Sequence, residues 1–134
     1  MNSFSLKIVT PDGMEFEGMA EEVVVRTTSG DMGILAGHIN CVAPLGMGRA
    51  MFVIDGQKRY AACIGGILSV SNGAVTMVPT TFEWSDEIDV DRASDAEERA
   101  KQILADKNIS NTDLIMAEAK LKRALVRKSV ASYK

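Results

Sequence analysis

The sequence contains few of the residues that mark a catalytic, metal-binding or membrane-spanning protein. Of its 134 residues, one is histidine, two are cysteine and 5% are aromatic. No apolar run approaches the roughly 20 residues that span a bilayer, so we expect no transmembrane segment. The N-terminus lacks a charged region followed by an apolar one, so we also expect no secretion signal.

The net charge and the cysteines further limit the classes of protein to which the chain could belong. A formal net charge of −3 offers no broad basic surface, so we predict that nucleic acid is not a partner. Cys41 and Cys63 form no C-x-x-C pair and each lies in an apolar stretch, which favours reduced thiols in a cytosolic protein. The length suits one ordinary domain, or one small domain with an appendage.

The chain changes character between Glu83 and Ala93. Before this stretch, apolar residues alternate with polar ones and turn residues are frequent. After it, no proline or glycine occurs to the end, and apolar residues recur at helical spacing. We therefore predict an α+β protein with a β half, residues 1–84, and an α half, residues 85–134.

Short apolar runs separated by turn residues fill the β half. Asp55-Gly56 and Asn72-Gly73 are strong hairpin signals. Residues 32–45 are predicted to be irregular, and Gly65-Gly66 is predicted to interrupt the chain. Strands at this spacing indicate a β-sandwich or a flattened barrel, of about ten strands.

The α half is predicted to form two helices, residues 91–105 and 113–130. A polar connector this short predicts an antiparallel hairpin. Asp89 or Asp91 is the candidate N-cap of the first helix, and Thr112 that of the second. The predicted apolar stripes are Ala93, Ala96, Ala100, Ile103 and Leu104, and then Leu114, Ala117, Leu121, Ala124 and Leu125.

Two properties of this hairpin bear on its stability and on its charged end. Its seam is rich in alanine, which buries far less area than leucine, so the helices are weakly held together. Its charge is divided, because residues 86–106 contain eight acidic and three basic residues whereas 113–134 contain two acidic and six basic ones. An antiparallel pair would bring the acidic start beside the basic end.

Four arginines could meet at that end of the hairpin. Arg92 and Arg99 are two turns apart, and Arg123 and Arg127 are spaced i, i+4. The planar fork of arginine suits phosphate. The alternative is a set of solvated surface ion pairs, each worth about 0–1 kcal/mol.

Known catalytic and metal motifs are missing or incomplete. Gly46-Met47-Gly48 starts a dinucleotide fingerprint that lacks its third glycine, and no P-loop or G-x-S-x-G occurs. His38 and Cys41 lack an orienting group, and Asp89 and Asp91 start an EF-hand loop without its glycine and final glutamate. We therefore predict that the chain is not an enzyme, against the alternative of a nucleotide-processing enzyme.

Several motifs resemble the epsilon subunit of bacterial F-type ATP synthase. They are Ser29-Gly30-Asp31-Met32-Gly33-Ile34-Leu35-Ala36-Gly37-His38-Ile39, Thr10-Pro11-Asp12-Gly13, Gly65-Gly66 and the tail from Leu121 to Ala131. The resemblance covers the whole chain in order. It implies a non-catalytic central-stalk subunit of the proton-translocating enzyme, peripheral on the cytoplasmic face of the bacterial plasma membrane.

The resemblance also implies partners and two states of the hairpin. The sandwich would bind the gamma subunit and touch the c-ring. The hairpin, when folded on the sandwich, would permit ATP hydrolysis. When extended along gamma toward the alpha and beta subunits, it would block hydrolysis. The weak alanine seam gives such a two-state element a physical basis.

Some bacterial members of that family bind ATP through a motif Ile-Asp-x-x-Arg-Ala, which Ile88-Asp89-Val90-Asp91-Arg92-Ala93 matches. ATP is then expected as a regulatory ligand, with Mg²⁺ possible but not required. Asp91 adds a negative charge beside the site. The alternative is a purely structural coupling subunit in which the motif caps a helix. The resemblance implies these ATP-binding residues: Glu83, Ile88, Asp89, Arg92, Ala93, Arg99, Arg123 and Arg127.

Overall fold

Eight β-strands make up most of residues 2–84. The computed structural model describes residues 2–133. Its strands are β1 Phe4–Thr10, β2 Gly13–Ala20, β3 Glu22–Thr27, β4 Gly30–Leu35, β5 Cys41–Pro44, β6 Met47–Ile54, β7 Gln57–Ser71 and β8 Ala74–Trp84. A 3-10 helix, Ser85–Glu87, leads into the helices α1 Val90–Leu104 and α2 Asn111–Ala131.

The strands form a β-sandwich, as the sequence predicted. Their hydrogen-bonded order is β2-β1-β8-β7-β6-β3-β4, and β5 pairs with β7. All pairs are antiparallel except β1 with β8. The prediction of a barrel of about ten strands was wrong in detail, because there are eight strands over residues 2–133 and the sheet does not close.

The long strand β7 lets one sheet supply both layers. Up to Ile64 it pairs with β6, and from Ile67 it pairs with β5. Gly66, with φ 102°, lies where the partner changes, and a Cβ there would overlap the carbonyl oxygen of Val78. The prediction that the two glycines interrupt the chain was therefore wrong, since they allow the strand to continue and change partner.

The segment predicted to be irregular contains two strands. β4 and β5 both lie within or overlap residues 32–45. The alternation of apolar and polar residues extends over only a few positions in each strand. Among the described residues, β5 pairs with the distant β7 alone. Local sequence therefore gave no signal for β5, because its pairing partner lies more than twenty residues further along the chain.

The core lies between the layers, and β1 shows the alternation of buried and exposed residues that contributes to it. In β1, Phe4, Leu6 and Ile8 are buried while Ser5 and Lys7 are exposed. Three aromatic rings from β6 and β8, those of Phe52, Phe82 and Trp84, contact one another edge to face at 4.9–6.0 Å. This core does not include either helix, so the sandwich has its own apolar interior.

Both helices begin with a side-chain cap. Asp89 accepts a hydrogen bond from the backbone N–H of Arg92 at 3.0 Å, so it is the N-cap of α1. Ser110 accepts one from the N–H of Asp113 at 3.2 Å, so the prediction of Thr112 as the second cap was wrong. Ser110 stands three residues before Asp113, which is the spacing that a cap requires.

The seam of the hairpin consists of alanine. Ala93 and Ala100 of α1 and Ala117 and Ala124 of α2 are buried. Ile103 and Leu125, which the sequence placed in the stripes, are 42% and 44% exposed. Small residues allow close approach of the helix backbones but bury little apolar area, so the seam contributes little to stability.

The end of α2 docks on the sandwich through a separate cluster. Ile88, Val130 and Ala131 pack on Ala62 of β7, with Tyr60 and Val126 at the edge. This small apolar contact fixes the hairpin to the outside of β6 and β7. Across residues 2–133, neither helix combines the length and apolarity that crossing a bilayer demands.

The geometry at Gly66 predicts a large effect of one methyl group. Gly66→Ala should lower the free energy of unfolding by about 3 kcal/mol or more, because the Cβ meets backbone in a positive-φ position. Gly56→Ala is the matched control, with φ 74° and open space around the Cβ, and should cost about 1 kcal/mol. Urea denaturation measures both, and equal losses would contradict the close approach.

Candidate functional site

A cleft of about 490 Å³ opens where the sandwich, the linker and both helices meet. Its walls come from five segments. They are the β1–β2 turn with Thr10 and Asp12, the end of β8 with Thr81, Phe82 and Glu83, the linker with Glu87, Ile88 and Asp89, α1 with Arg92, Ala93, Ala96 and Arg99, and α2 with Ala124 and Arg127.

The cleft gathers seven of the eight residues that the sequence nominated for ATP. Glu83, Ile88, Asp89, Arg92, Ala93, Arg99 and Arg127 all line it. Arg123 does not line it, although it lies one helical turn before Arg127 and is half-buried. Asp91, which the sequence marked as a negative charge beside the site, is exposed and also lies outside the wall.

The start of α1 sets the positions of the motif residues. Asp89 caps the helix, so one carboxylate oxygen is already bound to the backbone. Ile88 is buried in the docking cluster of α2 while it also borders the cleft. Arg92, in the first turn of α1, and Arg99, two turns further on, both line the cleft, and the dipole at the helix N-terminus favours an anion near Arg92.

A salt bridge between Glu83 and Arg127 joins β8 to α2 across the cleft. The Arg127 Nε donates to the Glu83 Oε1 at 2.7 Å. The arginine side chain is 28% exposed and the glutamate 38%, so solvent screens the pair only in part. An anion that reaches Arg127 would compete with this carboxylate.

The remaining charges leave two arginines available for a ligand. The wall contains four acidic residues, Asp12, Glu83, Glu87 and Asp89, against the three arginines at positions 92, 99 and 127. None of the ion pairs formed within residues 2–133 involves Arg92 or Arg99. These two guanidinium groups can therefore bind an anion without first losing an ion pair.

Sequence reasoning missed the walls that come from the sandwich. Thr10 and Asp12 reach the cleft because β1 runs parallel beside β8, which no local pattern indicates. The turn itself is fixed locally, since the Asp12 N–H donates to the Thr10 Oγ1 at 3.2 Å. The Thr10–Gly13 motif was visible in the sequence, but not its proximity to the helices.

A second ionic contact, outside the cleft, ties α1 to α2. Glu97 of α1 accepts a hydrogen bond from the Lys128 Nζ of α2 at 2.6 Å, and its other oxygen lies 3.2 Å from the Lys101 Nζ. The Glu97 side chain is only 12% exposed. The hydrogen bonds from Lys128 and Lys101 lower the pKa of the Glu97 carboxyl below its ordinary value.

A larger depression lies at the tip of the hairpin but is less suited to an anion. It measures about 630 Å³ and is wide open to solvent. Arg99 is its one basic residue, against Asp106 and Asp113. The cleft between sandwich and hairpin is therefore the candidate site.

Two family models match consecutive parts of the chain. Residues 3–85 match the model described as "ATP synthase, Delta/Epsilon chain, beta-sandwich domain". Residues 86–132 match "ATP synthase, Delta/Epsilon chain, long alpha-helix domain". Together the two matches span nearly the whole chain.

Proteins similar over their full length are bacterial ATP synthase epsilon chains. That of Ruminococcus albus is 44% identical over 136 residues, with both chains covered completely. That of Bacillus cytotoxicus is 42% identical over 134 residues, again with complete coverage. That of Shouchella clausii is 40% identical, over all of this chain and 98% of the relative.

Solved structures with the same fold come from mitochondrial ATP synthases. A chain of the Euglena gracilis OSCP/F1/c-ring assembly aligns with a TM-score of 0.83 and 23% identity, covering 98% of this chain and 82% of that one. A chain of the Tetrahymena thermophila central stalk and c-ring aligns with a TM-score of 0.66 and 9% identity, covering 95% of each. At these identities the likeness concerns the fold.

The Glu97 contact predicts a pH-dependent hairpin. The pKa of Glu97 is lower in the folded state than in the unfolded state. The ionised carboxylate therefore stabilises the fold at neutral pH, and this stabilisation is lost as the pH falls through the folded-state pKa. Glu97→Gln should lower the melting temperature at pH 7, and this difference should shrink below about pH 4. Glu98→Gln, at the exposed neighbour, is the control. If the difference in melting temperature between Glu97→Gln and the natural chain does not change with pH, the ionic contact is contradicted.

Proposed function

We propose a regulatory function for this chain, which belongs to the epsilon subunits of F-type ATP synthase, non-catalytic subunits of the central stalk. The family that the sequence predicted is thus confirmed. In the proposed function, the sandwich joins the gamma subunit to the c-ring. The hairpin inhibits ATP hydrolysis when it extends, and bound ATP holds it in the folded state.

The make-up of the cleft carries this proposal. Its walls come from the sandwich, the linker, α1 and α2, so the cleft exists only while both helices are docked. A ligand that binds only the docked state stabilises it by RT ln(1 + [L]/Kd), which is about 2.7 kcal/mol at a hundredfold excess over Kd. Loss of the ligand would return the hairpin to its weak intrinsic docking.

The chemistry of the cleft suits a nucleotide. Its volume of about 490 Å³ lies in the range of small-molecule sites. Arg92 and Arg99 have no ion pair within residues 2–133 and can bind phosphate oxygens in bidentate fashion. Ile88 and Ala93 offer an apolar surface for the base, and the second oxygen of Asp89 can accept from its amino group.

Arg127 and Arg123 would complete the phosphate contacts from α2. Arg127 would exchange Glu83 for a phosphate oxygen, which leaves Glu83 free to face the base or ribose. Arg123, one turn earlier and outside the wall, would serve as an outer contact. Mg²⁺ bound to the phosphates is compatible with this arrangement, and the arrangement does not require it.

The extended state would free the surfaces that docking hides. Release of α2 would expose its alanines together with Val130 and Ala131. Residues 113–134 hold six basic and two acidic residues. An arm of this charge suits acidic surfaces of the alpha and beta subunits, toward which it would be steered over long distance.

An exposed apolar patch on the sandwich supports docking of the gamma subunit. Ile67 of β7 lies directly between Pro44 of β5 and Val78 of β8, and Val42 points to the same side two residues from Pro44. Val42, Ile67 and Val78 are 72%, 52% and 49% exposed. Contiguous exposed apolar residues across three strands are typical of a protein interface.

The remaining contacts follow from the same assembly. Ile39, 77% exposed in the loop before β5, is a candidate contact to the c-ring. Attachment through gamma and the c-ring would place the subunit on the cytoplasmic face of the bacterial plasma membrane. It would be peripheral there.

A second candidate function is structural coupling without ATP sensing. Two contacts favour it, since Asp89 already caps α1 and Arg127 already binds Glu83 without a ligand. In that case the motif residues only join the helices to the sandwich.

Calorimetric titration of the purified chain with ATP separates the two functions. A sensor releases heat, and its melting temperature rises with ATP. Arg92→Ala and Arg99→Ala should each weaken binding about 10- to 100-fold, since each removes charge-assisted hydrogen bonds. Lys107→Ala, at the exposed hairpin tip, is the control and should bind normally. If ATP releases no heat and leaves the melting temperature unchanged, ATP sensing is ruled out and the structural coupling function remains.

Substitution in the apolar patch tests the gamma interface. Ile67→Glu should weaken binding to purified gamma subunit about tenfold or more, because it buries a charge in the interface. Met19→Glu is a matched control, since Met19 is 53% exposed on the edge strand β2. Surface plasmon resonance measures both. Equal weakening by the two variants, or by neither, would place the interface elsewhere.

A further inference from the structure

Three side chains form a stack where the end of α2 meets the sheet. The Arg49 guanidinium lies 4.3 Å from the ring centroid of Tyr133 and 5.4 Å from that of Tyr60. The two tyrosine rings are 5.0 Å apart and tilted by 42°. We propose that Arg49, Tyr60 and Tyr133 form a C-terminal latch that holds α2 on the sandwich without nucleotide.

The sheet holds two members of the latch in place before α2 arrives. Arg49 on β6 pairs with Ala62 on β7, and Met51 pairs with Tyr60. Arg49 and Tyr60 are therefore diagonal neighbours on one face, with Ala62 beside both. That face is the one on which α2 docks, because Val130 and Ala131 pack on Ala62.

The third member arrives only with the helix. The Tyr133 N–H donates to the Val130 carbonyl at 2.9 Å, so Tyr133, two residues beyond the end of α2, is held against its last turn. Val130 and Ala131 are buried against the sheet, whereas Tyr133 remains 38% exposed over Arg49 and Tyr60. The stack can therefore form only when α2 is docked on the sandwich. It stabilises that docking and no other part of the fold.

The latch matters because the contact beneath it is small. The docking cluster contains two alanines, one valine and Ile88. A cation–π contact at an exposed site changes an equilibrium about two- to fivefold, and an aromatic pair does so by a similar factor or more. Because the apolar contact is so small, factors of this size measurably change the closed fraction, which is the fraction of molecules in which α2 is docked.

The latch is linked to the nucleotide cleft through Ile88, and this link rests on the proposed function. Ile88 packs on Val130 and Ala131 and also lines the cleft. If ATP binds only the docked state, its apparent Kd equals the intrinsic Kd divided by the closed fraction. A weaker latch then lowers the affinity for ATP although Tyr133 does not line the cleft.

Hydrogen exchange of the full chain without nucleotide tests the latch. Tyr133→Ala and Arg49→Ala should each speed exchange of the amides of residues 126–133 about two- to tenfold, while exchange in β1 and β8 stays unchanged. Tyr133→Phe keeps the ring and should behave as the natural chain. Lys7→Ala is the control for loss of a surface cation, because Lys7 lies on β1 and pairs with Glu17 at 3.5 Å.

The double variant Arg49→Ala with Tyr133→Ala decides whether the two residues act together. A latch predicts a double effect smaller than the product of the single effects. Unchanged exchange in the single variants, or fully multiplicative effects, would overturn the latch.

An ATP titration of the same variants then tests the link. Exchange gives the open-to-docked ratio K of each variant, and the apparent Kd should rise by the factor (1 + K of the variant)/(1 + K of the natural chain). A Kd that departs from this factor would overturn the link. Absence of ATP binding by the natural chain would overturn the proposed function, and the exchange data would still decide the latch.

Discussion

Between the sandwich and α2 lies a contact made mostly of small side chains, and the behaviour of the hairpin depends on it. Ala62, Val130 and Ala131 bury far less area than the rings of Phe52, Phe82 and Trp84 inside the sandwich. The seam between the helices is alanine as well. The sandwich would therefore keep its whole core if α2 left, so the two hairpin states of the proposed function would differ by little free energy.

Directional contacts, more than buried area, specify where α2 docks. Arg127 with Glu83, Lys128 with Glu97 and Tyr133 with Arg49 follow one another along the last turns of α2 and the residues just after it. Each is partly exposed and weak by itself. Arg127 with Glu83 and Tyr133 with Arg49 join this end of the chain to the sandwich and depend on one position of the helix, whereas Lys128 with Glu97 ties α2 to α1. This gives a docked state with a defined register, which an alanine surface alone would not select.

Sequence patterns predicted what depends on neighbouring residues, and missed what depends on distant ones. The cap at Asp89, the alanine seam and the grouping of Arg92 with Arg99 follow from helical spacing, and the structure contains them. β5 and the continuity of β7 through Gly66 depend on strands far along the chain. The wall contributed by Thr10 and Asp12 depends on the parallel pairing of β1 with β8. The stack of Tyr133 on Arg49 joins residues that share no local pattern.

The charges of the cleft limit how strongly a nucleotide could close the hairpin. Four carboxylates face three guanidinium groups, and Arg127 is already bound to Glu83. A polyphosphate would gain the contacts of Arg92 and Arg99 but must displace Glu83 and approach the other acids. Its net attraction is therefore smaller than the number of arginines suggests. In the proposed function, a nucleotide would shift the hairpin only by the difference between its affinities for the docked and the extended state.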